Sequence, residues 1–177
     1  METFTSVREP VDNPDYDVQR RQALARLDLA KIDAPIVTLV QRFNDLPYCF
    51  TLQSCCGHFL SAGQRDPHNV QVLPTVRSTA AVDYRIAYLA LCIDRNDEGI
   101  SLLTDLSEIA AIDPGYIQFG CAEWFWERQV NSYALQVEPK RYQARDSVSI
   151  AYEEALHVQT IRDTFFAVLE RLLDVSR

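Results

Sequence analysis

The sequence predicts an α/β domain of the α+β kind, a single compact unit in which a mixed β-sheet is covered by helices. Three observations carry this expectation. Apolar residues recur at helical spacing in several separate stretches. A nearly continuous apolar run at 86–93 (IAYLALCI) has the length and composition of a central strand. Two β-prone segments in the second half are joined by a short polar connection, as in an antiparallel hairpin.

Taken in order, residues 1–17 carry Pro10, Pro14 and five acidic side chains and read as a flexible arm, leaving 18–177 as one α/β domain. A helix is expected at 18–32, with Leu24, Leu27 and Ala30 along one face. Asp33 then reads as an N-cap with Pro35 in the first turn. Ile36, Leu39, Val40, Phe43 and Leu46 repeat with the period of one buried helical face, and Pro47 ends the helix. Residues 48–53 are β-prone and stop at a small-residue turn, Ser54-Cys55-Cys56-Gly57-His58, with a further short strand at 59–62. The segment 63–69 (GQRDPHN) is a polar loop, and 70–73 suits another short strand.

After the central run, Asn96 or Asp97 caps a helix that buries Leu102, Leu103, Leu106 and Ile109. Asp113-Pro114-Gly115 makes a turn, Pro fixing φ and Gly widening the choice. Strands are expected at 117–128 and 132–138. A long last helix is expected at 147–174, its stripe running through Ala151, Ala155, Val158, Ile161, Phe165 and Leu169.

Composition narrows the function classes. Seventeen basic residues, fifteen of them Arg, stand against 25 acidic ones, a net charge of −8. Attraction to polyanions grows with clustered cations, so general nucleic-acid binding is disfavoured. The Arg excess still allows a few bidentate anion contacts. No apolar window approaches the length of a membrane span, and the N-terminus lacks the apolar core of a signal peptide. Five cysteines without framework spacing suit a reducing cytoplasm.

Two segments could carry chemistry. In the turn at 54–58, successive backbone N–H groups could cradle an anion, with Gly57 permitting positive φ or close ligand approach. A plain turn with buried thiols is the equal alternative. Cys55, Cys56 and His58, with His68 beyond, do not read as a metal site, because adjacent cysteines diverge and no second ligand pair exists. In the second segment, Glu123-Trp-Phe-Trp-Glu-Arg128, a strand would put Trp124, Trp126 and Arg128 on one face. That face could stack a purine and hold an anion, although packing under a helix is the commoner use of such a pair. Gly-rich nucleotide loops and a nucleophile elbow are absent. No catalytic residue is assigned.

Lys31-Ile-Asp33, the helix PIVTLVQRFNDLP, and a strand closing on Thr51-Leu-Gln-Ser-Cys-Cys-Gly-His58 together resemble the tRNA wybutosine-synthesising methyltransferase family. That family has a V-D step, a helix of similar type and a strand closing on Ser-Ser-Cys-Ser-Gly-Arg. The resemblance covers residues 18–60 and implies a compact α/β fold. It also implies S-adenosylmethionine-dependent N-methyl transfer to a tricyclic guanosine derivative in tRNA. Ser54, Cys55 and Gly57 match the motif, while Gln53, Cys56 and His58 depart from it. Exchanging a permanent cation for an imidazole at His58 weakens anion capture. With the net charge, this shifts the expected partner from tRNA toward a small molecule or a protein. Trp124, Trp126 and Arg128 would line the same pocket. The alternative is a non-catalytic small-molecule- or protein-binding domain that keeps the fold without tRNA methylation.

Overall fold

The computed structural model describes residues 4–61, 63–75, 80–142 and 145–175. Among the described residues there are six strands: β1 (Phe4–Thr5), β2 (Cys49–Leu60), β3 (Ala81–Ile93), β4 (Ile117–Ala122), β5 (Ser132–Val137) and β6 (Ser147–Ala151). They form one sheet in the order β1-β4-β5-β3-β2, with β6 pairing the first part of β3. Every described pair is antiparallel, so the sheet is not mixed as expected. The helices are α1 (Tyr16–Arg26), α2 (Val37–Asp45), α3 (Asp97–Ala110), α4 (Glu123–Arg128) and α5 (Tyr152–Val175).

The apolar run forms the centre of the sheet. β3 pairs with β2 on one side and with β5 and β6 on the other. Strand alternation sends Leu89, Leu91 and Ile93 to one face, where they join Leu39, Val40 and Phe43 of α2, Leu102 and Leu106 of α3, and Val158, Phe165 and Leu169 of α5. This is the main core. On the opposite face Cys92 and Phe50 pack with Tyr16 of α1 in a small second cluster. The asparagine cap of α3 is as expected: Asn96 Oδ1 accepts from the Gly99 N–H at 2.8 Å.

Several boundaries differ from the sequence expectation, each for a physical reason. The turn at 54–58 is continuous strand, because β3 supplies ladder partners from Cys49↔Ile93 through to Leu60↔Asp83. Its irregularities are a register shift between Thr51 and Gln53 and a positive φ of 80° at Gly57. The extension to Ala62 lies outside the described residues. The strand expected at 117–128 ends at Ala122, since β5 offers ladder partners only as far as Gly120 and β1 pairs the next two residues. Beyond that point the chain coils into α4, so Trp124, Trp126 and Arg128 sit on a short helix and do not share a strand face.

The expected last helix begins late. Residues 147–151 pair with 81–85 of β3 as β6, and α5 starts at Tyr152. The expected strand at 70–73 is absent; Leu73 instead docks on α5, its N–H donating to Gln159 Oε1 at 2.7 Å. The expected helix at 18–32 is α1 followed by a separate turn of 3-10 helix at Leu29–Lys31. The segment read as an arm makes specific contacts: Val11 exchanges two hydrogen bonds with the Asn131 side chain, and the Arg8 carbonyl accepts from Tyr133.

Candidate functional site

Asp33 precedes a 3-10 turn at Ala34–Ile36 with Pro35 at its start, the position expected of an N-cap. Its carboxylate makes no cap bond there. It reaches across to β2, where Oδ2 accepts the Cys56 N–H at 2.8 Å and lies 3.3 Å from His58 Nε2. The two sequence segments, 23 residues apart, are thereby joined in one polar site. Residues 54–57 lie in strand β2, and the Cys56 amide, one of those that could have cradled an anion, is taken by Asp33.

His58 is 1% exposed. Its Nδ1 faces the Asn69 carbonyl at 3.1 Å, and the Asn69 side chain donates to the Phe59 carbonyl at 3.3 Å, which pins the following loop against β2. The His68 ring stands edge-on to His58, with centroids 5.8 Å apart.

Gly57 allows this crowding. A Cβ built there would meet the Ala87 Cβ at 2.9 Å and Arg162 Cδ at 3.2 Å. The Arg162 guanidinium, nearly buried on α5, donates to the Gly57 carbonyl at 3.1 Å and twice to Asp163 Oδ1. It also lies over the Phe59 ring at 5.0 Å. These bonds use three of its five N–H groups. Beside it opens a cavity of about 240 Å³ walled by Pro35, Ile36, Cys56, Val70, Arg162 and Phe166.

Burial works against nucleophilic character in the two cysteines of the segment. Burial pushes the Cys55 thiol up to about 11 and Cys56 to about 12, the Asp33 carboxylate adding to both. A thiol must ionise to attack, so burial disfavours nucleophilic chemistry at both. Cys56 faces the main core, while Cys55 lies across from Tyr88 on the opposite sheet face. Ser54 pairs with Leu89 of β3 and is half-buried.

Trp124 belongs to a different cleft. On the second sheet face Gln53, Tyr88, Ala90, Ala134 and Gln136 form a floor, and Trp124 with Phe125 closes one side of about 80 Å³. The Trp124 indole N–H is buried without a hydrogen-bond partner among the described residues. Arg128 covers the Trp124 ring at 5.2 Å, so the expected cation–aromatic pair exists on a helix. Trp126 packs edge-on against Tyr133 and under Arg8. The structure does not bring the two sequence-predicted groups together: Ser54, Cys55, Gly57 and His58 do not line the first cavity, where the turn contributes only Cys56, and of Trp124, Trp126 and Arg128 only Trp124 lines the second.

Sequence reasoning overlooked Arg162, which stands at Val158+4 on the buried stripe of α5, where a charge needs a partner. It also overlooked Glu138, a fully buried carboxyl that accepts from Gln136 Nε2 at 2.8 Å and is raised to about 7, chiefly by burial.

No family model matches the chain, and no curated protein matches it. Among solved structures, the PH1069 protein from Pyrococcus horikoshii is similar in fold, with a TM-score of 0.50 and 15% identity over 90% of this chain and 93% of that one. A second structure, of PH1069 from Pyrococcus horikoshii OT3, gives 0.48 and 15% over 92% and 93%. At such identity the first likeness concerns the fold alone. No described helix is long and apolar enough to cross a membrane.

Proposed function

We propose that this chain is a methyltransferase-like protein of the wybutosine-enzyme type, acting on a small molecule and using the cavity beside Cys56 and Arg162 for its ligand. The observation that supports the reading is the Asp33 carboxylate bound to the Cys56 amide, because it ties together the two segments that carry the resemblance. When bound, S-adenosylmethionine would supply an electrophilic methyl group. The residues fit one end of that molecule. Two N–H groups of Arg162 remain for a carboxylate, and Phe166, Pro35 and Ile36 give apolar walls. At about 240 Å³ the cavity is below the roughly 300 Å³ floor of small-molecule sites, so the rest of the ligand would lie at its mouth.

In this reading the chain contributes orientation more than acid–base chemistry, a contribution worth several kcal/mol when reacting atoms are held in line. Arg162 anchors an anion, and its two bonds to Asp163 fix the guanidinium plane. The net charge of −8 and the buried His58 in place of the family's arginine support a small-molecule acceptor over tRNA.

The same small cavity favours a second reading, a binding domain of this fold without methyl transfer. Titration calorimetry with S-adenosylmethionine separates the two. Saturable heat that is lost in a folded Arg162→Met variant is expected; absence of heat at millimolar cofactor would leave the non-catalytic reading. Unchanged migration of tRNA at low salt is expected under either.

A further inference from the structure

We infer that Asp33, His58 and His68 form a binding site for one divalent transition-metal cation of the zinc class. The inference stands on side-chain geometry and does not depend on methyl transfer. One potential ligand atom from each of the three residues lies within 4.8 Å of the others.

The hydrogen-bond inventory of His58 is the first argument. A carbonyl oxygen only accepts, so the 3.1 Å contact with Asn69 is a hydrogen bond only when Nδ1 carries the hydrogen. That tautomer leaves a lone pair on Nε2, which points at Asp33 Oδ2. Two acceptors facing one another require an electrophile between them, either a proton, as in an imidazolium–carboxylate pair, or a metal ion. Metal-bound histidines commonly show this arrangement, one nitrogen on the ion and the other N–H on a backbone carbonyl that fixes the ring.

Distance is the second argument. The Nε2–Oδ2 separation is 3.3 Å, at the long limit of a charge-assisted hydrogen bond, which is typically about 2.7–2.9 Å. Two ligands bound tetrahedrally at about 2.0–2.1 Å stand about 3.3–3.4 Å apart. The pair is therefore spaced as two corners of a metal tetrahedron. His68 supplies the third corner from the loop that Asn69 pins to β2. Its ligand atom, within 4.8 Å of the other two, closes to that spacing by movement of an exposed side chain, and the fourth position is left to solvent or ligand.

The outer contacts also suit an ion. The Cys56 amide donates to the same carboxylate oxygen that would ligate, and that bond orients it. Two nitrogens and one oxygen select a borderline cation such as Zn²⁺ over Mg²⁺ or Ca²⁺, which prefer all-oxygen shells. The thiols of Cys55 and Cys56 take no part, because neither sulfur belongs to the group of mutually close ligand atoms.

The test is titration calorimetry of zinc chloride into the full chain freed of metal by a chelator, with Co²⁺ substitution as a readout of ligand type. Expected are one equivalent of zinc, and the comparatively intense visible d–d bands of four-coordinate cobalt without thiolate-to-cobalt charge transfer. His68→Ala, an exposed change that leaves the fold intact, should weaken zinc at least tenfold, the loss that even outer-shell changes produce. Asp33→Asn, which keeps an oxygen for the Cys56 amide, should do the same, and His157→Ala should change nothing. No zinc binding at micromolar concentration overturns the site, as does equal affinity in wild type and His68→Ala. Thiolate bands with cobalt would also overturn it.

Discussion

Replacing Gly57 by alanine tests whether the tight contact between β2, β3 and α5 holds the site together. Two costs add at this position. A left-handed φ of 80° costs an L-residue about 1–2 kcal/mol. The new methyl group would stand 2.9 Å from the Ala87 Cβ and 3.2 Å from the Ala87 nitrogen, in the middle of a ladder that cannot give way. Overpacking of that kind costs about 1–3 kcal/mol more. The expected loss is about 2–5 kcal/mol, which shifts the urea midpoint by about 1–2.5 M for a slope near 2 kcal/mol per M. Gly63→Ala is the matched control. Its φ is 92°, yet nothing lies within 4 Å of its Cβ position, so only the backbone cost of about 1–2 kcal/mol applies. Equal losses in the two variants would refute the argument that close packing at Gly57 is what the glycine provides.

Three other outcomes follow from the geometry. Raising the Glu138 carboxyl from its ordinary 4.5 to about 7 means that the folded chain holds a proton the unfolded chain has released. Stability should be full below pH 4.5 and fall by about 3 kcal/mol as pH rises through 7, and Glu138→Gln should flatten that slope in denaturant titrations from pH 5 to 8. All five cysteines are free and buried, and burial raises every thiol, so a thiol reagent at pH 8 should label the native chain far more slowly than the urea-unfolded one. Asn131 holds a φ of 60° and bridges Val11 through two bonds; Asn131→Gly keeps the backbone and drops both bonds, so limited proteolysis should cut near residues 8–14 sooner.

The sequence revealed what apolar periodicity encodes. The faces of α2, α3 and α5 and the central position of β3 follow from spacing alone, because burial selects those residues wherever they sit. Strand ends were not legible, since they depend on whether a neighbour supplies a ladder partner. Trp124 and Arg128 show this well: their alternation suited a strand, but β5 stops short of them and a helix forms instead. The site was half legible. Asp33 and His58 stood in the segments singled out for their resemblance, but they lie 25 residues apart and no local pattern reports their contact. Arg162 left a trace, a charge at a buried helical position, whose meaning appears only beside Gly57.

The position of β2 at the end of the sheet carries a consequence for self-association. A twelve-residue strand bordered by a single neighbour is a template onto which another chain could add, the usual start of aggregation. Here two of its backbone N–H groups are already taken from outside the ladder, that of Thr51 by Asn44 Oδ1 and that of Cys56 by Asp33 Oδ2. The carboxylate that joins the site is thus also a plug on an open border. Loss of both side chains should make the chain add strand to strand, visible as fibril-dye fluorescence at concentrations where the parent chain gives none.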